Sequence, residues 1–274
     1  NINANSAELT FMEHGQSTQW EYALAPGNTI DFTTVIPVVM NNQGIYLNNL
    51  VDGVTYTVAV RGICSESQYS DWSEPITFST PSQPTSLPFE TTFNDDLDNQ
   101  KWVMVANTAN AWAIGNATVS PLSEIVENDK AAYLSSNGGE NYNVVLNSGW
   151  NYSYAYLYRE FDFEGGGTNF TLSFDYKVSG QTYGSSVTAG LYVLIKNEED
   201  NIVAAYTNTN EALATYGGVN EWTRADLELP EMEGVKKIVF YTWGYSQSYN
   251  QMQQVPPAID NIEMLPIRVI GSDD

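Results

Sequence analysis

The stretch Leu87-Pro88-Phe89-Glu90-Thr91-Thr92-Phe93-Asn94-Asp95 decides how the rest of the chain divides. Just ahead of it runs Thr80-Pro81-Ser82-Gln83-Pro84-Thr85-Ser86. Proline fixes its own φ and pushes the preceding residue toward extended backbone, so this run reads as a stiff linker. Leu87 and Phe89 then alternate, and a turn brings Phe93 back to their face. We read a first strand of a new domain, with Glu90 on the opposite face. One small β module precedes this point and one larger module follows it.

The 274 residues suffice for two domains. Aromatic residues make up 13%, including 18 Tyr and 7 Trp, and only 16% of residues are charged. Such a composition favours pleated, half-buried surfaces and predicts an all-β chain. The formal charge is -23, from 33 acidic and 10 basic residues. That surface repels phosphate backbones and anionic lipid, which disfavours nucleic acid and membrane-surface partners and attracts divalent cations. No run of about 20 apolar residues is present, so no membrane insertion is expected. The single Cys64 excludes an internal disulfide framework and is expected to be a small buried residue on a strand. The single His14 has no neighbours that recommend it for catalysis.

Before the linker, Leu9 and Phe11 alternate, then Trp20, Tyr22 and Leu24, and Ala25-Pro26-Gly27-Asn28 has turn chemistry. A strand begins at Gly44. The run from Leu50 to Arg61 is a turn feeding a long strand with Tyr56, Val58 and Val60 inward, and Ile76 to Thr80 is the last of the set. Leu50, Gly53-x-Thr55-Tyr56-x-Val58-x-Val60-Arg61, Ser70-Asp71-Trp72-Ser73 and Phe78-Ser79-Thr80 together resemble a fibronectin type III domain. Phe11 stands where that family commonly has Trp. The resemblance implies a β-sandwich spacer in which the Tyr56 hydroxyl ties a loop back to the backbone.

After the linker, alternating segments recur: 156–163, 170–176, 191–195, 201–206, 221–229, 237–243 and 258–264. No helical period is sustained, and eight to ten strands over this length suit a jelly roll of two packed sheets. Phe89-Glu90, Trp102, Trp112, Leu172 to Lys177, Trp222-Thr223 and Ile259-Asp260-Asn261-Ile262 resemble the cleaved-adhesin or choice-of-anchor jelly rolls, which are related in shape to MAM domains. In Bacteroidetes such modules sit beside fibronectin type III domains. The combined resemblance implies a fibronectin-like module at 1–81, a linker at 82–87, a jelly roll at 88–266 and a tail at 267–274. It also implies a secreted or surface-attached role in adhesion or glycan recognition, with no catalytic motif.

Two sites are expected. Glu90 on the first strand, Asp260 on the last and Asp95 in the adjacent loop supply hard oxygen ligands for Ca²⁺, and the family commonly holds calcium at matching positions. The second expected site is aromatic. Trp150, Tyr152, Trp243, Tyr245 and Tyr249 are interleaved with Asn, Gln and Ser, which suits loops that bind a glycan or a host or surface protein. The competing function is a jelly-roll glycoside hydrolase, or an accessory module of one, built on a carboxylate pair. No motif singles out such a pair, and fold alone confers no activity.

Overall fold

A computed structural model describes residues 1–118, 129–145, 152–164, 166–183, 186–188, 190–204, 213–245 and 255–267. The chain forms two compact units, Asn1–Gln83 and Pro84–Asp274.

The first unit carries β1 (Ser6–Thr10), β2 (Gln19–Pro26), β3 (Val38–Met40), β4 (Gly44–Asn48), β5 (Thr55–Ser65), β6 (Gln68–Tyr69) and β7 (Ile76–Ser79). β1 pairs with β4, while β3, β2 and β5 form a second sheet in which β6 and β7 both join β5. Alternation sends Ile45, Leu47, Tyr56, Val58 and Phe78 into the core with Leu50 and Trp20. The Tyr56 hydroxyl accepts a hydrogen bond from the Val51 backbone N–H at 2.9 Å, so the ring anchored beside Phe78 ties down the loop that leads into its own strand. Trp20 packs edge-on against Phe11. Arg61 lies 4.1 Å above the Tyr69 ring and 4.5 Å above Trp72, with its Nε donating to Glu21. Cys64 is exposed rather than buried: it is the next-to-last residue of β5, beyond the part of the strand that the core covers. His14 is exposed in the connection between β1 and β2.

The second unit carries β8 (Thr85–Ser86), β9 (Phe89–Thr91), α1 (Asp96–Asn99), β10 (Val103–Ala106), β11 (Ala111–Gly115), β12 (Ala131–Ser135) and β13 (Tyr152–Asp162). β14 (Phe170–Val178), β15 (Gln181–Tyr183), β16 (Ser186–Thr188), β17 (Leu191–Asn197), β18 (Ile202–Ala204) and β19 (Ala214–Tyr216) follow. β20 (Val219–Glu228), β21 (Val235–Tyr245) and β22 (Ala258–Pro266) complete it. One sheet has the order β10-β13-β21-β17-β18, with β8 added on β13 and β19 on β17. The other has the order β11-β12-β22-β14-β20, with β9 added on β22. β14 shows why they stack: Phe170, Leu172, Phe174, Tyr176 and Val178 are buried, and the residues between them are not. They meet Leu157, Phe161, Val193, Ile195 and Phe240 of the other sheet in one core.

The proline-rich run is not all linker. Thr85–Ser86 forms β8, parallel to β13 at Phe161 and Asp162, and the Arg159 guanidinium donates to the Thr85 hydroxyl at 2.6 Å. Two residues later β9 joins the opposite sheet through β22. The chain therefore contributes to both layers as it enters the unit. A two-residue strand is too short to show alternation, which is why composition alone reads it as spacer.

Candidate functional site

A cleft of about 1010 Å³ in the second unit is lined by Glu90, Asp95, Asp98, Asp175, Arg224 and Glu263, among others. It holds two of the three expected calcium ligands, but the third is elsewhere. β9 and β22 do pair, as first and last strands of a sandwich were expected to, yet the register sets Glu90 opposite Glu263. Asp260 instead faces Asp175 on β14. β22 also carries a β-bulge between these positions: Asn261, at φ 48°, is an extra residue between those opposite Asp175 and Ser173 on β14. Asp260 is 1% exposed, and its Oδ1 accepts from the Asn261 backbone N–H at 2.7 Å.

The neighbouring carboxylates already have structural partners. Arg224 donates to Glu263 and to the Asn261 carbonyl, each at 2.7 Å, and its guanidinium is 3.8 Å from Asp175. A protein cation thus occupies the space between these acids. Asp95 caps the single turn of α1, accepting from the Leu97 and Asp98 N–H groups. Asp96 pairs with Lys130. Asp98 receives both terminal nitrogens of Arg159 at 2.7 Å, with the guanidinium lying over the Phe89 ring. Among the described residues no group of three or more His, Cys, Asp and Glu is placed to hold a metal ion. Glu90, Asp95 and Asp260 therefore do not assemble as one coordination shell. Two other oxygens nearby, Asn99 Oδ1 and Asp129 Oδ2, are buried without a hydrogen-bond donor among the described residues.

Of the expected aromatic residues, Tyr152, Trp243 and Tyr245 lie on paired strands rather than in loops. Tyr152 begins β13 and Tyr245 ends β21, directly opposite one another. The neighbouring serine misled the sequence reading: Ser153 turns inward, 3% exposed, with its hydroxyl 2.9 Å from that of Thr108. Trp150, Tyr249 and the side chains of Tyr152 and Tyr245 lie outside the described residues. Along the same ladder Tyr154 faces Trp243 and Tyr156 faces Tyr241, while Tyr192 of β17 faces Tyr241 from the other side. Core-facing Ala155, Leu157 and Phe240 alternate with these residues, so the rings belong to the face turned away from the sandwich core.

Tyr154, Tyr156, Tyr241, Tyr192 and Trp243 form a continuous run of ring contacts with centroids 4.5 to 6.1 Å apart. Lys196 and Lys237 stand opposite each other at its end, over the rings of Tyr156 and Tyr158. Asp200 bonds Lys237 at 2.8 Å, and Glu160 is 3.9 Å away. That hydrogen bond, helped by the charges of Lys237 and Lys196, holds the Asp200 carboxyl below its usual range. Burial pulls Lys237 downward, but the bond to Asp200 and the nearby negative charges leave it raised overall. Sequence reasoning singled out Trp243 but passed over Tyr192 and Tyr241. The period-two tyrosines at 152, 154, 156 and 158 signalled a strand rather than a loop.

No family model and no curated protein matches the chain. Among solved structures, the enzymatically active domain of tailspike protein 4 from bacteriophage CBA120 is similar over 61% of this chain and 19% of its own, at 16% identity and a TM-score of 0.38. The CBM22-1 xylan-binding domain of Paenibacillus barcinonensis Xyn10C is similar over 66% of this chain and 94% of its own, at 9% identity and a TM-score of 0.35. TmCBM61, solved in complex with beta-1,4-galactotriose, is similar over 60% of this chain and 88% of its own, at 13% identity and a TM-score of 0.33. These likenesses carry no argument about the ligand of this chain, which rests on its own residues. Among the described residues no helix is long and apolar enough to cross a membrane.

Proposed function

We propose that the second unit is a non-catalytic glycan-recognition module, and that the first is a fibronectin-like spacer of a secreted or cell-surface adhesion protein. One observation carries this reading: on the side of the sheet away from the core, a contiguous run of five aromatic rings includes four that are half-buried, Tyr154, Tyr156, Tyr241 and Trp243, around a buried Tyr192. Cross-strand aromatic pairs do stabilise sheets. A run of five across three strands goes beyond what pairing alone requires, and aromatic rings with polar tips suit a ligand that is apolar on one side and hydroxylated on the other. The same face would suit a protein partner, which the binding test below separates from a glycan.

The hydrolase alternative draws less support. It needs a carboxylate free to give a proton and a second free to attack or activate water. In the cleft Asp98, Asp175, Asp95 and Glu263 are each held by Arg159, Asn261, a helix N-terminus or Arg224.

The glycan reading is tested with a glycan array and the Trp243→Ala variant. Binding by the wild type that the variant loses, with the melting temperature held within a few degrees, supports the site. Calcium is tested separately by thermal scans in Ca²⁺ and in EGTA. We expect Glu90→Gln to respond as the wild type does. A wild-type stabilisation that Glu90→Gln abolishes would restore the three-residue site.

A further inference from the structure

We propose, independently of the glycan reading, that the first unit pairs with a second copy of this chain along the free edge of β3, joining two five-stranded sheets into one. Phe32 to Val51 holds no charged residue, although the chain carries 33 acidic and 10 basic ones. This run contains β3, β4 and the short connection between them. β3 ends the five-stranded sheet, and β4 lies at an edge of the two-stranded one. Both sheets of the unit therefore end on a flank without charge.

The side chains along that flank are apolar and uncovered. Ile36 is 86% exposed, Val39 57% and Tyr46 63%, and Val38 is exposed as well. Val38 and Val39 point to opposite faces of β3, so the core covers neither. Edge strands are commonly guarded by charged residues, by proline or by a covering segment. Here Pro37 is the only such guard, and it stands just before the three residues of β3.

The hydrogen-bond ladder fixes which backbone groups face outward. Val60 and Gly62 of β5 bond Ser73 and Ser70, on the side away from β2. Backbone groups alternate sides along a strand, so Arg61 turns toward β2 and meets Glu21. Trp20 and Tyr22 then turn toward β3, where they meet Met40 and Val38. That leaves the Val39 N–H and C=O aimed out of the sheet. A second copy running antiparallel sets its own Val39 opposite this one. The two residues exchange both hydrogen bonds about a two-fold axis, an isologous contact.

Charge selects a second copy over other partners. Two chains of -23 repel wherever acids face acids, and like charges opposite one another destabilise paired strands. On this flank two copies meet without such a pair at the contact. The flank also lacks the acids that would draw in a basic strand.

Sedimentation velocity on the full chain over a concentration series tests this, with Val39→Glu, Ile36→Glu and Met12→Glu alongside. Wild type is expected to pass from monomer to dimer as concentration rises. Added salt is expected to strengthen the dimer by screening the repulsion between the two chains. Val39→Glu and Ile36→Glu are each expected to weaken dimerisation by about tenfold or more. Their melting temperatures should match wild type, because both side chains are exposed. Met12 is 82% exposed but lies outside the flank, and Met12→Glu is expected to dimerise as wild type does. A wild type that stays monomeric at every concentration would overturn the pairing of copies and leave the edge to a strand of another protein. A dimer that both flank variants leave intact, or that Met12→Glu also abolishes, would place the contact elsewhere and overturn it too.

Discussion

Tyr156 and Tyr241 face one another on adjacent strands, with their rings stacked 4.5 Å apart and 13° from parallel. The pair is the centre of the aromatic face. Tyr154 continues it along β13, and Tyr192 and Trp243 continue it across β17 and β21. Whatever binds here meets an array whose geometry is set by backbone register rather than by loops. That makes the face rigid before ligand arrives, which limits the ordering cost of association.

The ion pair between Arg159 and Asp98 should be among the most sensitive points of the second unit. Arg159 is 2% exposed, and Asp98 engages both of its terminal nitrogens. Removing one partner of a buried pair leaves the other charged and unpaired, at a cost of about 3 kcal/mol. Asp98→Ala is therefore expected to lower stability by about that much in urea denaturation, with an unchanged m-value. A loss below about 1 kcal/mol would mean that water solvates the guanidinium once Asp98 is gone.

Asp200 supplies a pH signature at the edge of the aromatic face. Its carboxyl is held below the ordinary 3.8, mainly by the hydrogen bond from Lys237. A carboxylate whose value is lower in the folded state adds stability that is fully present above its unfolded value. That contribution fades as pH falls through the lower folded value. The melting-temperature gap between wild type and Asp200→Asn is thus expected to be widest near neutral pH and to close progressively as pH falls below the ordinary 3.8. The side chain is 68% exposed, so the gap should also shrink in high salt. A gap that stays constant as the solution is acidified through the carboxylate range would show that the hydrogen bond does not favour the charged form.

Most of the architecture could be read from alternation. The run from Phe170 to Tyr176 read as a strand because its buried face is uniformly apolar, and β14 shows that pattern directly. Three features could not be read this way, each for its own reason. β8 is two residues long and depends on β13, more than 70 positions later, for its pairing. The bulge at Asn261 shifts the β14–β22 ladder by one residue, so that Asp260 faces Asp175 while Glu263 faces Ser173. Ser153 faces inward with Ala155 and Leu157 on β13, and its hydroxyl is met there by Thr108, a distant partner that local composition cannot reveal. The loop assignment of Tyr152 failed for the third reason.

The most direct test of the account is one binding measurement on wild type and Trp243→Ala, made on a glycan array with melting temperatures recorded alongside. Trp243 ends the ring series, stacked on Tyr192 and opposite Tyr154. The account predicts that the wild type binds at least one glycan, and that Trp243→Ala loses that binding while melting within a few degrees of wild type. Equal binding by both proteins, or a variant that fails through unfolding at the roughly 3–5 kcal/mol expected of a truncated core aromatic, would contradict it.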